Sequence, residues 1–162
     1  MKRVFLSALL ITPILLGIPQ IALAKAPTVK LTIEGGGLTK QFEITDPRIL
    51  ELSHVWGGNF LDHSREPAKD PPRGLPGYDV SFYVRFKEDG IRKKYVVRYY
   101  PNSSAEQGYI YLPGKGEDGH ALNLESIVRS GRDGKWNYAA PAWERLIKPL
   151  IVAAKCADQR PE

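Results

Sequence analysis

Val80-Ser81-Phe82-Tyr83-Val84-Arg85-Phe86 and, beyond Lys87-Glu88-Asp89-Gly90, Ile91-Arg92-Lys93-Lys94-Tyr95-Val96-Val97-Arg98-Tyr99-Tyr100 decide the fold. Val80, Phe82, Val84 and Phe86 alternate with Ser81, Tyr83, Arg85 and Lys87, the period of a strand with one buried side. A second alternating run follows, and Asp89-Gly90 suits the two positive-φ sites of a type I′ hairpin turn. That two-residue turn predicts Val84 opposite Tyr95, Phe82 opposite Val97 and Val80 opposite Tyr99. On the reverse face it sets Arg85 against Lys94, Tyr83 against Val96 and Ser81 against Arg98. Gln107 to Leu112 continues as a third strand, with Ile110 facing Val97 and Leu112 facing Tyr95. Tyr109 then falls beside Arg98 and Tyr111 beside Val96. A slip by one residue would put Ile110 and Leu112 in water.

Outward from this meander the pattern stays legible. Val29, Leu31 and Ile33 form one strand, Phe42 and Ile44 another, joined at Gly35-Gly36-Gly37. With Gly36-Gly37 as the turn, Leu31 faces Phe42 and Val29 faces Ile44. Thr45-Asp46-Pro47 is a helix start: Asp46 can cap free N–H groups and Pro47 is preset for the first helical position. Ile49, Leu50 and Leu52 supply the helix's apolar side, and Gly57-Gly58 is its expected end. Asn59 to Tyr78 is a long, proline-rich segment, either functional or wrapping. Pro113 to Gly119 reads as a turn. Leu122 to Ser130 reads as a short helix capped by Asn123, with a strand as the alternative, and Lys135 to Tyr138 suits an edge strand.

Pro141 opens the last helix, where Trp143, Leu146, Ile147, Leu150, Ile151 and Ala154 recur at intervals of three and four. Pro149 should kink or divide it. The expected fold is therefore α+β: a largely antiparallel five-stranded sheet, made of a hairpin plus a three-stranded meander. A short helix follows strand 2, and a C-terminal helix packs on one face.

Composition narrows the function classes. Met1 to Ala24 has the plan of a cleaved secretory signal: Lys2 and Arg3, an apolar stretch from Val4 to Ile18, then Ala22-Leu23-Ala24. A single domain over residues 25–162 is expected to be secreted or periplasmic. Without Lys2 and Arg3 the net charge drops from +5 to +3, too mild to argue for nucleic acid. No second apolar stretch is long enough to span a membrane. Cys156 stands alone, so no intramolecular disulfide forms, and it reads as an incidental thiol near the C-terminus.

No cofactor motif is present. His54, His63 and His120 lack metal-ligand spacing, and no serine sits in a nucleophile elbow. Asn102-Ser103-Ser104 matches a glycosylation acceptor. The candidate binding residues lie on the reverse face of the meander: Tyr83, Arg85, Arg98, Tyr109 and Tyr111, accompanied by Lys94 and Tyr100. Rigid tyrosines beside planar guanidinium groups suit a sugar ring or an anionic group, such as an anionic glycan or another envelope component. The competing reading is an ordinary outer sheet face, since tyrosine favours strands. An exported hydrolase or metal-dependent enzyme assembled from His54, Asp62, His63 and His120 is the alternative of a different class.

Ile33-Glu34-Gly35-Gly36-Gly37-Leu38, Ile44-Thr45-Asp46-Pro47, Pro72-Arg73-Gly74-Leu75-Pro76, Val80-Ser81-Phe82-Tyr83-Val84, Gly108-Tyr109-Ile110-Tyr111-Leu112-Pro113-Gly114 and Pro141-Ala142-Trp143 occur in this order. In them the chain resembles a family of exported bacterial proteins that has no assigned reaction. The resemblance implies a single exported domain and carries no catalytic residue across. The chain departs from the pattern at Glu117-Asp118-Gly119-His120-Ala121, where glycine and histidine follow the acidic pair instead of an aromatic.

Overall fold

The computed structural model describes residues 26–69, 73–102, 107–123 and 131–158. The expected signal segment, Pro71, Pro72, Ser103, Ser104 and most of the stretch from Leu122 to Ser130 lie outside them. The fold is α+β, with a six-stranded antiparallel sheet: β1 (Thr28–Gly35), β2 (Phe42–Ile44), β3 (Tyr78–Phe86), β4 (Gly90–Tyr100), β5 (Tyr109–Tyr111) and β6 (Trp136–Tyr138). Their spatial order is β2-β1-β3-β4-β5-β6. The first hairpin thus joins the meander through β1, and Trp136–Tyr138 supplies the sixth strand beyond the expected five.

Outside the turn end of the central hairpin every expected face is kept, and there each expected register is displaced by two residues. Val80 lies opposite Val97 and Phe82 opposite Tyr95; Ile110 lies opposite Tyr99; Leu31 lies opposite Ile44. The cause in the central hairpin is its loop. Phe86 pairs with Gly90 across three residues, and only Gly90 takes the left-handed conformation, with φ of 70°. A three-residue loop closing on a left-handed glycine replaces the expected type I′ turn, because Asp89 keeps a negative φ. A bulge between Phe82 and Tyr83 then sets Tyr83 opposite Lys93. Lys93, rather than Lys94, is the lysine that faces Tyr83.

Among the described residues three helices accompany the sheet. α1 (Pro47–Leu52) starts as expected, its Asp46 side chain accepting from the Arg48 amide at 2.9 Å. It ends at Ser53, short of Gly57-Gly58, where the Ser53 hydroxyl donates to the Ile49 carbonyl. α2 spans His120–Asn123, and the rest of the helix expected from Leu122 to Ser130 lies outside the described residues. α3 (Pro141–Asp158) is one continuous helix through Pro149, which sits on its exposed side where the ring meets water.

α3 lays Trp143, Ile147 and Ile151 on the apolar sheet face, against a core that includes Leu31, Ile33, Val80, Phe82, Tyr95, Tyr99 and Ile110. The Trp143 ring meets Tyr99 edge-on at 5.2 Å, and its indole N–H donates to the Ser53 hydroxyl at 2.9 Å. Leu150, expected on this face, is 37% exposed. A buried carboxylate takes part in the contact instead. Glu144, only 7% exposed, accepts from the Tyr99 hydroxyl at 2.6 Å and from the Gly108 amide at 3.0 Å. Burial, and then the bond to Glu144, push the Tyr99 phenol well above its usual pKa. Glu144 also lies in the first turn of α3, where the helix dipole favours negative charge.

The long segment after α1 wraps the sheet. Phe60 packs on Phe82 at 4.8 Å, Leu61 bridges to Ala139, and the Ala68 amide donates to the Trp136 carbonyl at 2.7 Å. Its unusual length is therefore used along the outer side of β6.

A methyl group at Gly108 would sit 2.5 Å from the Glu144 carboxylate and 2.7 Å from the Tyr100 carbonyl. Gly108→Ala is expected to lower stability by about 1–3 kcal/mol through overpacking. Glu144→Ala should cost about 1–3 kcal/mol for each buried donor it strands. Urea unfolding followed by tryptophan fluorescence measures both.

Candidate functional site

The reverse face of the sheet is built in rows, because directly opposed residues on adjacent strands share a face. One row runs Lys30–Tyr83–Lys93. The next is low: Thr32, Ser81 and Val96. Beyond it stands Glu34–Asp79–Arg98–Tyr111–Trp136, crossing five strands. Last comes Tyr100–Tyr109–Tyr138. Short side chains between tall rows leave a trough across the strands, and the structure has a groove of about 690 Å³ there.

Its far end is closed by chain that follows β5. The Asn123 amide pairs with the Val96 backbone, accepting from the N–H at 2.9 Å and donating to the carbonyl at 2.8 Å. The side chain takes the place of a strand neighbour where β5 has stopped. Gly119, with φ of 84°, rests so closely on Val96 that an added Cβ would clash with its Cγ2. Glu117 accepts from the Gly114 amide at 2.7 Å and from the Tyr111 hydroxyl at 2.8 Å, tying the loop to β5. These bonds, the Gly114 amide first, hold the Glu117 carboxyl below the usual carboxylate range. Partial burial, and then the bond to Glu117, push the Tyr111 phenol up to about 12.

Among the described residues the charged groups of the groove are Glu34, Asp79, Glu117 and Asp118 against Lys93 and Arg98. The Arg98 Nε donates to Asp79 at 2.8 Å. The surplus of cations that an anionic ligand would call for is not found here; carboxylates exceed them.

The five expected binding residues separate. Arg98 and Tyr111 line the groove. Tyr109 lies one row away, its ring 5.3 Å from Tyr138. Tyr83 borders the opposite side under the Lys30 ammonium, 4.6 Å from the ring centroid. Arg85 is exposed, opposite Ile91 near the hairpin loop, and is not part of the groove lining.

Several contributors escaped the sequence reading. Trp136 lies 4.9 Å from Tyr111 and 4.8 Å from Tyr100, and the Arg65 guanidinium lies 3.4 Å from the Tyr138 ring centroid. The alternation Trp136-Asn137-Tyr138 carried the signal for both aromatics; nothing local marked Arg65 or Glu117.

The residues of the enzymatic alternative are engaged elsewhere. Asp62 accepts from Ser64 and Gln107, His63 contacts the Gly58 carbonyl at 3.0 Å, and the His54 ring lies 5.8 Å from that of Trp56, tilted by 59°. Among the described residues no three His, Cys, Asp or Glu side chains are grouped to hold a metal ion. No helix there is long and apolar enough to cross a membrane. The chain matches no protein-family model, no curated protein and no solved structure.

Removing Glu117 should loosen the groove's end wall. In Glu117→Ala the Gly114 amide is expected to exchange about 2–10-fold faster, the range of one modest hydrogen bond. In the unaltered protein, protection from a carboxyl with lowered pKa persists above the ordinary glutamate value of 4.5 and is lost as pH falls through the lowered value. Amide exchange followed by NMR across acidic pH checks both.

Proposed function

We propose that the protein is an exported binding domain whose ligand lies in the groove on the reverse face of the sheet, and that the ligand is a glycan or a similar envelope component. The observation that carries this reading is the groove itself. Arg98, Tyr111, Lys93 and Ser81 converge on one concavity of a size that small-ligand sites commonly have. Rigid aromatic area beside charged and hydroxyl groups gives contact at low entropic cost together with directional hydrogen bonds. The signal-like plan of Met1 to Ala24 and the resemblance to exported bacterial proteins support export.

Arg98 and Tyr111 carry the binding in this reading, and Arg85 serves as an internal control because it lies outside the lining. On a panel of immobilised neutral, acidic and amino glycans, Arg98→Ala and Tyr111→Ala are expected to weaken binding at least about fivefold, the loss typical of an energetic contact. Arg85→Ala should stay within about twofold of the unaltered protein. A blank panel, or equal weakening by all three substitutions, overturns the proposal.

A further inference from the structure

Resting on that reading, we infer that the ligand is a hexopyranose chain without acidic groups, and that Trp136, with Tyr100 and Tyr111, forms a stacking subsite beside the groove. Three observations combine. Trp136, Tyr100 and Tyr111 are half-buried, so each ring keeps part of its surface open, and their centroids lie within 4.9 Å of the indole. The tyrosine rings are tilted by 58° and 40° to the indole, so each open ring surface offers its own apolar area against which the C–H face of a sugar ring packs.

The adjoining groove supplies the second part. A sugar hydroxyl both donates and accepts, so its site needs the two kinds of partner side by side. Carboxylates at Glu117 and Asp118 accept, while Arg98, Lys93 and the Ser81 hydroxyl donate. A purely apolar ligand would strip water from these groups and return nothing.

Charge decides the class. Four carboxylates face two cations in the lining, and Arg98 is already paired with Asp79. A polyanion would meet net repulsion there, whereas neutral and amino sugars would not. The row Arg98–Tyr111–Trp136 also repeats at the spacing of neighbouring strands, about 4.8 Å, close to the length of one pyranose unit. A chain laid across the strands places successive rings over successive side chains.

The test uses the purified protein and titrates neutral hexasaccharides of glucose, mannose and N-acetylglucosamine, with hexagalacturonate and hexaglucosamine as charged counterparts. At least one sugar without acidic groups is expected to bind at least tenfold more tightly than hexagalacturonate. Its binding should shield tryptophan from acrylamide quenching, and Trp136→Phe should abolish that shielding while keeping affinity within about threefold, since a ring remains. Trp136→Ala should lose about three- to tenfold, and circular dichroism establishes that it is folded. If that variant does not fold, the Trp136→Phe shielding result decides alone. Preference for hexagalacturonate, or affinity for it within tenfold of the best of the other sugars, overturns the assignment to sugars without acidic groups and leaves the binding domain standing. Shielding that survives in Trp136→Phe overturns the stacking subsite. Binding of none of these sugars overturns the inference, and the broader reading falls with it only if the glycan panel is blank as well.

Discussion

The Glu144 carboxylate is the constraint on which the two faces of this sheet jointly depend. It leaves the first turn of α3, passes into the core and accepts from the β4 side chain of Tyr99 and from the Gly108 amide just before β5. A buried carboxylate is unfavourable unless its oxygens are occupied, and here each has a donor. The contact sets where β5 begins. Since Tyr109 and Tyr111 follow Gly108 directly, the same bond that seats the helix underneath also places the aromatic rows on top.

How much of this was legible follows from what periodicity can encode. Alternation along a strand states which residues share a face, and Leu31, Val80, Phe82, Val97 and Ile110 all lie on the expected one. It says nothing of sliding by two, which leaves each face intact, and all three hairpins differ from expectation by that step, the central one as far as its bulge. Only loop geometry distinguishes such registers. In the central hairpin it turned on whether Asp89 takes a positive φ, a choice to which the residue type gives a preference and no answer.

The site was less legible than the fold because its parts come from distant segments. Arg98 and Tyr111 could be paired from the meander, but Glu34, Glu117 and Trp136 enter through strand order and chain return. Glu144 left a trace that was overlooked: it falls in phase with Ile147 and Ile151, and a carboxylate on an apolar helix stripe implies a buried partner. The bulge at Tyr83 left none, and it exchanged Lys94 for Lys93 on the reverse face.

The strip of chain from Leu61 to Ala68 along β6 has one more consequence. An outer strand normally presents unpaired N–H and C=O groups that can recruit a strand from another molecule. Here the Tyr138 and Trp136 carbonyls are taken by the Asp62 and Ala68 amides, so the sheet cannot grow past β6. At the opposite margin β2 offers three residues. The broad aromatic face can thus remain open to water without the sheet beneath it serving as a template for edge-to-edge aggregation.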